Sequence, residues 1–222
     1  MTVKLIYCIN RKPELSVAEF QEYWFNTHGP IAARIPGVRR YVQCHTLPET
    51  YGEANPLFDG AAQLSWDSLE DMQAVSGRPE VTAALEDERA FIDHSRVAYF
   101  VTEEHVEIEG RPGAGAVKMI ACFKRKPGIS KEEFAQYWGE THAPIARGIP
   151  GLVKYVRAVS VAGVGGREPD YDGAAELYYP DLASLRTAMG GGEAQASSAD
   201  VPNFVDTGAI AAFITRERPV IE

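Results

Sequence analysis

Cysteine is scarce in this chain. Cys8, Cys44 and Cys122 are the only three in 222 residues, and none forms a CxxC pair. A sparse, odd set excludes a disulfide-stapled scaffold and predicts reduced thiols in a cytoplasmic protein. Cys8 and Cys122 lie inside apolar runs, where a thiol serves as a small core residue. Basic clusters are missing as well. The chain has 22 Lys and Arg against 31 Asp and Glu, a net charge of −9. Without a basic stripe the electrostatic footprint of a nucleic-acid binder is absent, and an acidic surface disfavours anionic membranes. No apolar run approaches the roughly 18 residues of a membrane span. The opening MTVKLIYCI reads as a strand, not as the basic and apolar regions of a signal peptide. There is no HExxH, no 2-His-1-carboxylate spacing, no GxGxxG after a strand, no P-loop and no GxSxG elbow. The sequence therefore gives no reason to expect a metal or an organic cofactor.

What the chain does have is a duplication. Residues 4–42 and 118–156, aligned without a gap at an offset of 114, agree at 21 of 39 positions. The shared set includes Arg11-Lys12-Pro13, Phe20, Tyr23-Trp24, Thr27-His28, Pro30-Ile31-Ala32, Ile35-Pro36-Gly37 and Tyr41-Val42. A unit this long is a duplicated domain, not a solenoid repeat. The expected division is 1–108, a Gly/Pro-rich linker at 109–116, and 117–222.

Within each copy the pattern is β-α-β-β-α-β, the split ferredoxin-like order. Val3–Ile9 is a β-branched run bounded by Asn10 and Pro13. Ser16 with Glu19, and Ser130 with Glu133, form capping boxes that open helices. Phe20, Tyr23, Trp24, Thr27 and His28 share one face of the first helix. Gly29-Pro30 and Ala143-Pro144 are expected to stop these helices. Asp59-Gly60 and Asp172-Gly173 are turn signals before a third strand, and Gly190-Gly191-Gly192 breaks the second helix of the second copy.

The run RKPxxSxxEFxxYWxxTHxPIA…IPGxxxYV, followed by DGAA, resembles the EthD family across nearly all of both copies. The resemblance implies an α+β fold in which two ferredoxin-like repeats form an intramolecular dimeric α+β barrel. It also makes the histidine of the THxP motif, His28 or His142, the leading catalytic candidate. Relatives of the fold include polyketide dehydratases and decarboxylases, isomerases and cofactor-independent monooxygenases, so the fold alone leaves the chemistry open.

The barrel lumen is the natural place for a small molecule. Strand alternation puts Tyr41, Gln43 and His45 on one face of the second strand and Ala61, Gln63 and Ser65 on one face of the third. These polar faces are expected to turn away from the helices, so that Tyr41, Gln43, His45, Gln63 and Ser65 line the first half of the lumen. The second half would present Tyr155, Arg157, Val159, Glu176 and Tyr178. Arg157 and Glu176 could then form an ion pair, either structural or substrate-binding. His28 and His142, one turn beyond Trp24 and Trp138, fit a structural role as well as a catalytic one. His45 corresponds to Val159 in the other copy, which suggests that one half has specialised. A histidine titrating near neutrality with a tyrosine can supply both base and acid. The expected function is a cofactor-free lyase or isomerase acting by dehydration, decarboxylation or bond cleavage on a small aromatic or polyketide-like metabolite. The alternatives are a cofactor-independent monooxygenase or a non-catalytic metabolite-binding partner of an oxygenase pathway. The expected catalytic set is His28, Tyr41, His45 and His142. Trp24, Gln43, Gln63, Ser65, Trp138, Tyr155, Arg157, Glu176 and Tyr178 are expected to bind substrate. A homodimer of the fused pair is left open.

Overall fold

A computed structural model describes residues 1–52 and 55–222. The first repeat runs β1 (Val3–Ile9), α1 (Val17–Tyr23), α2 (Gly29–Ala32), β2 (Arg40–Thr46), β3 (Gly60–Trp66), α3 (Leu69–Ala74), α4 (Pro79–Glu88) and β4 (Ala98–Ile108). The second runs β5 (Val117–Arg125), α5 (Lys131–Tyr137), α6 (Ala143–Ala146), β6 (Lys154–Ala162), β7 (Gly173–Tyr179), α7 (Leu182–Met189), α8 (Gly192–Asp200) and β8 (Val205–Ile221). The strands are hydrogen-bonded in the order β1-β3-β2-β8-β5-β7-β6-β4, and the ring closes into an antiparallel barrel. This is the α+β architecture of two ferredoxin-like halves that the repeat pattern predicts.

Both capping boxes form. Ser16 accepts from the Glu19 amide while the Glu19 carboxylate accepts from the Ser16 amide, and Ser130 and Glu133 repeat the exchange. The two glycine or alanine-proline pairs do not stop the helices. A π-helical turn, Trp24–His28 or Trp138–His142, follows α1 or α5, and α2 or α6 continues from it. The amides of Gly29 and Ala143 reach five residues back to the carbonyls of Trp24 and Trp138. The proline then stands at the start of a new helical segment, where its missing N–H costs nothing. Such widened turns concentrate at functional sites.

Packing divides the chain into two compact units. One is Met1–Glu103 with Val161–Pro169 and Thr215–Glu222; the other is Glu104–Ser160 with Asp170–Ile214. In the first, Leu5, Tyr7, Ile9, Tyr41, Ala62, Leu64 and Trp66 pack with Phe20, Trp24 and Phe91 in one cluster. In the second, Phe123, Phe134, Trp138, Phe204 and Val205 form the core.

Two motifs shared by the copies turn out to be structural. Asp59 of the Asp-Gly turn accepts from the Arg11 amide at 2.8 Å and also pairs with the Arg11 guanidinium. Asp172 and Arg125 repeat this clamp. The glycine that follows is held by sterics. A Cβ on Gly60 would lie 2.5 Å from Cζ3 of Trp24, and one on Gly173 would lie 2.6 Å from Cζ3 of Trp138. Each indole therefore packs onto bare backbone.

Strand register corrects the expected faces. Residues directly opposite in a ladder share a face. Tyr41 is opposite Leu64, Gln43 opposite Ala62 and His45 opposite Gly60, whereas Gln63 is opposite Val42. Because Ala62 and Leu64 belong to the helix-packed cluster, Tyr41, Gln43 and His45 face the helices. Gln63 and Ser65 lie on the other face. In the second unit Tyr155 is opposite Leu177 and Arg157 opposite Ala175, while Glu176 is opposite Val156. Arg157 and Glu176 thus point to opposite faces and cannot pair. Arg157 Nε donates to Glu107 Oε1 at 2.6 Å. Glu176 meets Lys118 Nζ at 2.9 Å, with both side chains buried. Alternation assigns each strand two faces but does not say which one meets a helix. Polar residues face the helices here because the π turn offers them partners: Gln43 Nε2 donates to the Trp24 carbonyl at 2.8 Å.

Candidate active site

The π turn ends on His142, whose imidazole is nearly buried. Its ring lies 4.8 Å from that of Phe204, tilted by 46°. Nδ1 is 2.9 Å from Oδ2 of Asp200, the last residue of α8. The other carboxylate oxygen, Oδ1, accepts from the Tyr137 hydroxyl at 2.8 Å and from Asn203 Nδ2 at 2.9 Å. Burial acts to raise the Asp200 carboxyl, but hydrogen bonds from Asn203, Tyr137 and His142 outweigh it and hold it below its ordinary range. It is therefore a carboxylate at neutral pH and can only accept. Nδ1 of His142 must then carry the proton, which leaves Nε2 with its lone pair. Burial pushes the imidazole below 6.5, against the opposing pull of Asp200, so the neutral form prevails at neutral pH.

His142 is part of the wall of a cavity of about 190 Å³ in the second unit. Trp138, Tyr155, Phe204, Met189 and Val201 contribute much of the rest, and Ser197 and Ser198 add two hydroxyls. None of the described lining residues carries a permanently charged side chain. The Tyr155 oxygen accepts a hydrogen bond from Trp138 Nε1 at 3.0 Å. Burial raises its pKa, so the phenol keeps its proton. The site thus combines a neutral imidazole acceptor and a phenolic donor with apolar walls. Among the described residues no group of three or more His, Cys, Asp or Glu side chains gathers as a metal site would need.

The first unit repeats the dyad. His28 Nδ1 is 2.8 Å from Asp87 Oδ2, and the Tyr23 hydroxyl donates to Asp87 Oδ1 at 2.9 Å. His45 lies in the same unit but is locked. It stacks on Trp24 at 4.4 Å between ring centroids, and its Nε2 bonds Gln43 Oε1 at 2.9 Å. Its buried Nδ1 has no hydrogen-bond partner among the described residues. Burial, then the charge of Arg218, pushes its pKa down to about 3. Such a histidine is a poor proton acceptor at neutral pH. Tyr41 is fully buried and accepts from Gln43. Among the expected substrate-binding residues, Trp138 and Tyr155 line the cavity, and Arg157 packs over the Trp138 ring at 5.5 Å. Glu176 and Tyr178 sit together, 3.3 Å apart, on the face turned from the helices. Sequence reasoning missed Asp87 and Asp200. Their signal was present: Asp87-x3-Phe91 and Asp200-x3-Phe204 recur at an offset of 113.

The EthD domain pattern matches residues 12–95 and 126–208. This chain belongs to the EthD family. A solved EthD family protein of Bacillus halodurans C-125 is 32% identical over 46% of this chain and 99% of its own, with a TM-score of 0.41. The structure of an anthrone oxidase-like protein matches 100% of this chain and 94% of its own at a TM-score of 0.70 and 14% identity. A variant of the chlorite dismutase of Candidatus Nitrospira defluvii matches 99% of this chain and 92% of its own at 0.56 and 10%. The last two likenesses are of fold. No curated protein matches the chain.

Proposed function

We propose that this EthD protein is an enzyme that removes a proton from a neutral, apolar, ring-bearing substrate held in the cavity of the second repeat. The observation that carries the reading is the Asp200–His142 dyad set in a wall without permanent charge. Nε2 of His142 takes the proton from a C–H or O–H acidified by a neighbouring carbonyl or ring. The imidazolium that forms is stabilised by Asp200, and the electron pair is delocalised onto the substrate oxygen. The Tyr155 hydroxyl, polarised by Trp138, donates to that oxygen. Return of the proton to another carbon gives isomerisation; its delivery to a departing hydroxide gives dehydration. Reaction of the same carbanion with dioxygen gives cofactor-free oxygenation, the alternative that the anthrone oxidase-like neighbour brings to mind.

Anthrone is a suitable probe because its methylene is acidified by rings and carbonyl. The wild-type protein should accelerate exchange of that methylene with deuterated water, followed by NMR. His142→Ala and Asp200→Asn should each slow the exchange about 100-fold or more, the size of a lost general base. The wild-type rate should rise with pH and level off below 6.5, as the imidazole loses its proton. Oxygen uptake in the same assay separates oxygenation from the other two outcomes. If His28→Ala abolishes exchange and His142→Ala does not, the active half has been misassigned.

A further inference from the structure

Position by position, the wall of the second-repeat cavity is the packed cluster of the first repeat. Met119, Trp138, Tyr155, Leu177, Phe204 and Ile210 line the cavity. Their counterparts Leu5, Trp24, Tyr41, Leu64, Phe91 and Val97 all belong to the first cluster. Two positions differ most in size and polarity. Ala121, opposite Ala175 in its ladder, corresponds to Tyr7, opposite Ala62. Val201 corresponds to Glu88. A phenol ring and a carboxyethyl group thus stand where the second repeat has a methyl and an isopropyl.

These two side chains hold each other. The Tyr7 hydroxyl donates to Glu88 Oε2 at 3.2 Å, and Glu88 is buried. Tyr99 meets the Tyr7 ring edge-on at 6.0 Å, and Arg167 lies 5.2 Å over the Tyr99 ring. Ala162 and Val164, close to Arg167 in sequence, pack against the same cluster. Beneath this latch, His28 keeps its bond to Asp87. A nearly buried imidazole–carboxylate pair is weak evidence of stability by itself, and among the described residues Asp87 is the one hydrogen-bond partner of the His28 ring.

We propose that the first repeat holds a second binding site for a neutral apolar ring, built on His28 and Asp87 and plugged in this chain by Tyr7 and Glu88. The plug occupies the volume that a ligand takes in the second repeat. Substituting the second repeat's residues, Tyr7→Ala with Glu88→Val, should open it.

Indole is the probe, and the readout is the number bound per chain by equilibrium dialysis. The double variant should bind one more indole than the wild type, and the His28 ring resonances should shift as that extra site fills. Tyr7→Ser alone, which leaves Glu88 in place, should show the same extra site more weakly. A folded double variant with an unchanged count overturns the proposal, as does an added site that leaves His28 unmoved. Failure of both variants to fold would make the pair ordinary core and overturn it too. The wild-type count is a separate result: one bound indole supports the cavity of the second repeat, and none refutes the reading of that cavity without touching the increment.

Discussion

Glu88 and His45 are buried ionisable groups in the same unit, and they pull stability in opposite directions with pH. Burial pushes Glu88 up to about 7 from 4.5, with its hydrogen bond from Tyr7 only partly compensating. The folded chain therefore holds this proton more tightly than the unfolded chain. Its contribution is complete below 4.5 and is lost as pH rises towards 7, on the order of 3 kcal/mol in all. His45, pushed down to about 3, behaves in the opposite sense: its contribution is present above 6.5 and is lost as pH falls towards 3. Glu88→Gln removes the first effect and leaves the second. Urea midpoints should show the variant matching the wild type near pH 4.5 and exceeding it near pH 8. Equal gains at both pH values would mean that Glu88 is ionised in the folded protein at every pH tested. The same residue scale explains why His142 and His45, both nearly buried, differ so much as bases. His142 has a carboxylate to stabilise its cation, whereas His45 has an amide oxygen and a nearby arginine.

Among the elements, the π turns and the strands they cover form one device in each repeat. The turn places an indole against the start of β3 or β7, and the glycine there leaves room for it. The wider turn also lets the helix continue to the histidine at its end. Replacing glycine by alanine in a strand ordinarily helps, because glycine loses more freedom on folding. At position 60 the added methyl would sit 2.5 Å from Trp24 and 2.7 Å from the Cys44 carbonyl, and the backbone cannot yield. Gly60→Ala should therefore cost about 1–3 kcal/mol, the range for overpacking. Loss of the Trp24–His45 stacking in NMR would accompany it. A neutral or stabilising result in denaturant titration would show that the indole is free to move.

On the scale of the whole chain, β8 is the longest strand, and its two ends belong to different units. Residues 215–221 are hydrogen-bonded to β2, with Thr46 opposite Thr215 and Gln43 opposite Arg218. Removal of Thr215–Glu222 would strip β2 of that neighbour and leave an open edge, which invites pairing with another chain. The truncated protein should run as oligomers in size exclusion and melt at a lower temperature. A monomer with unchanged melting would show that β2 does not need the strand. The duplication has a further consequence at this scale. The two copies differ at Tyr7/Ala121 and Glu88/Val201 and share the histidine–aspartate pair.

The repeat, the element order and the caps could all be read in the sequence, because each depends on local spacing: an offset of 114, a period of two or of 3.6, and a serine three residues before a glutamate. His28 and His142 stood out for the same reason. The carboxylates that orient them did not, because Asp87 and Asp200 are 59 and 58 residues further along the chain. Only tertiary packing brings α4 or α8 against the π turn. The sequence also could not say which face of β2 and β6 meets the helices. Alternation is symmetric between the two faces, and polar Tyr41, Gln43 and Arg157 are tolerated beneath a helix because a widened turn and Glu107 satisfy them. Nor could it say that a cavity would form beside His142. Ala121 and Val201 line that cavity, and at the matching positions of the first repeat Tyr7 and Glu88 bond each other, 81 residues apart in the chain and joined only by folding.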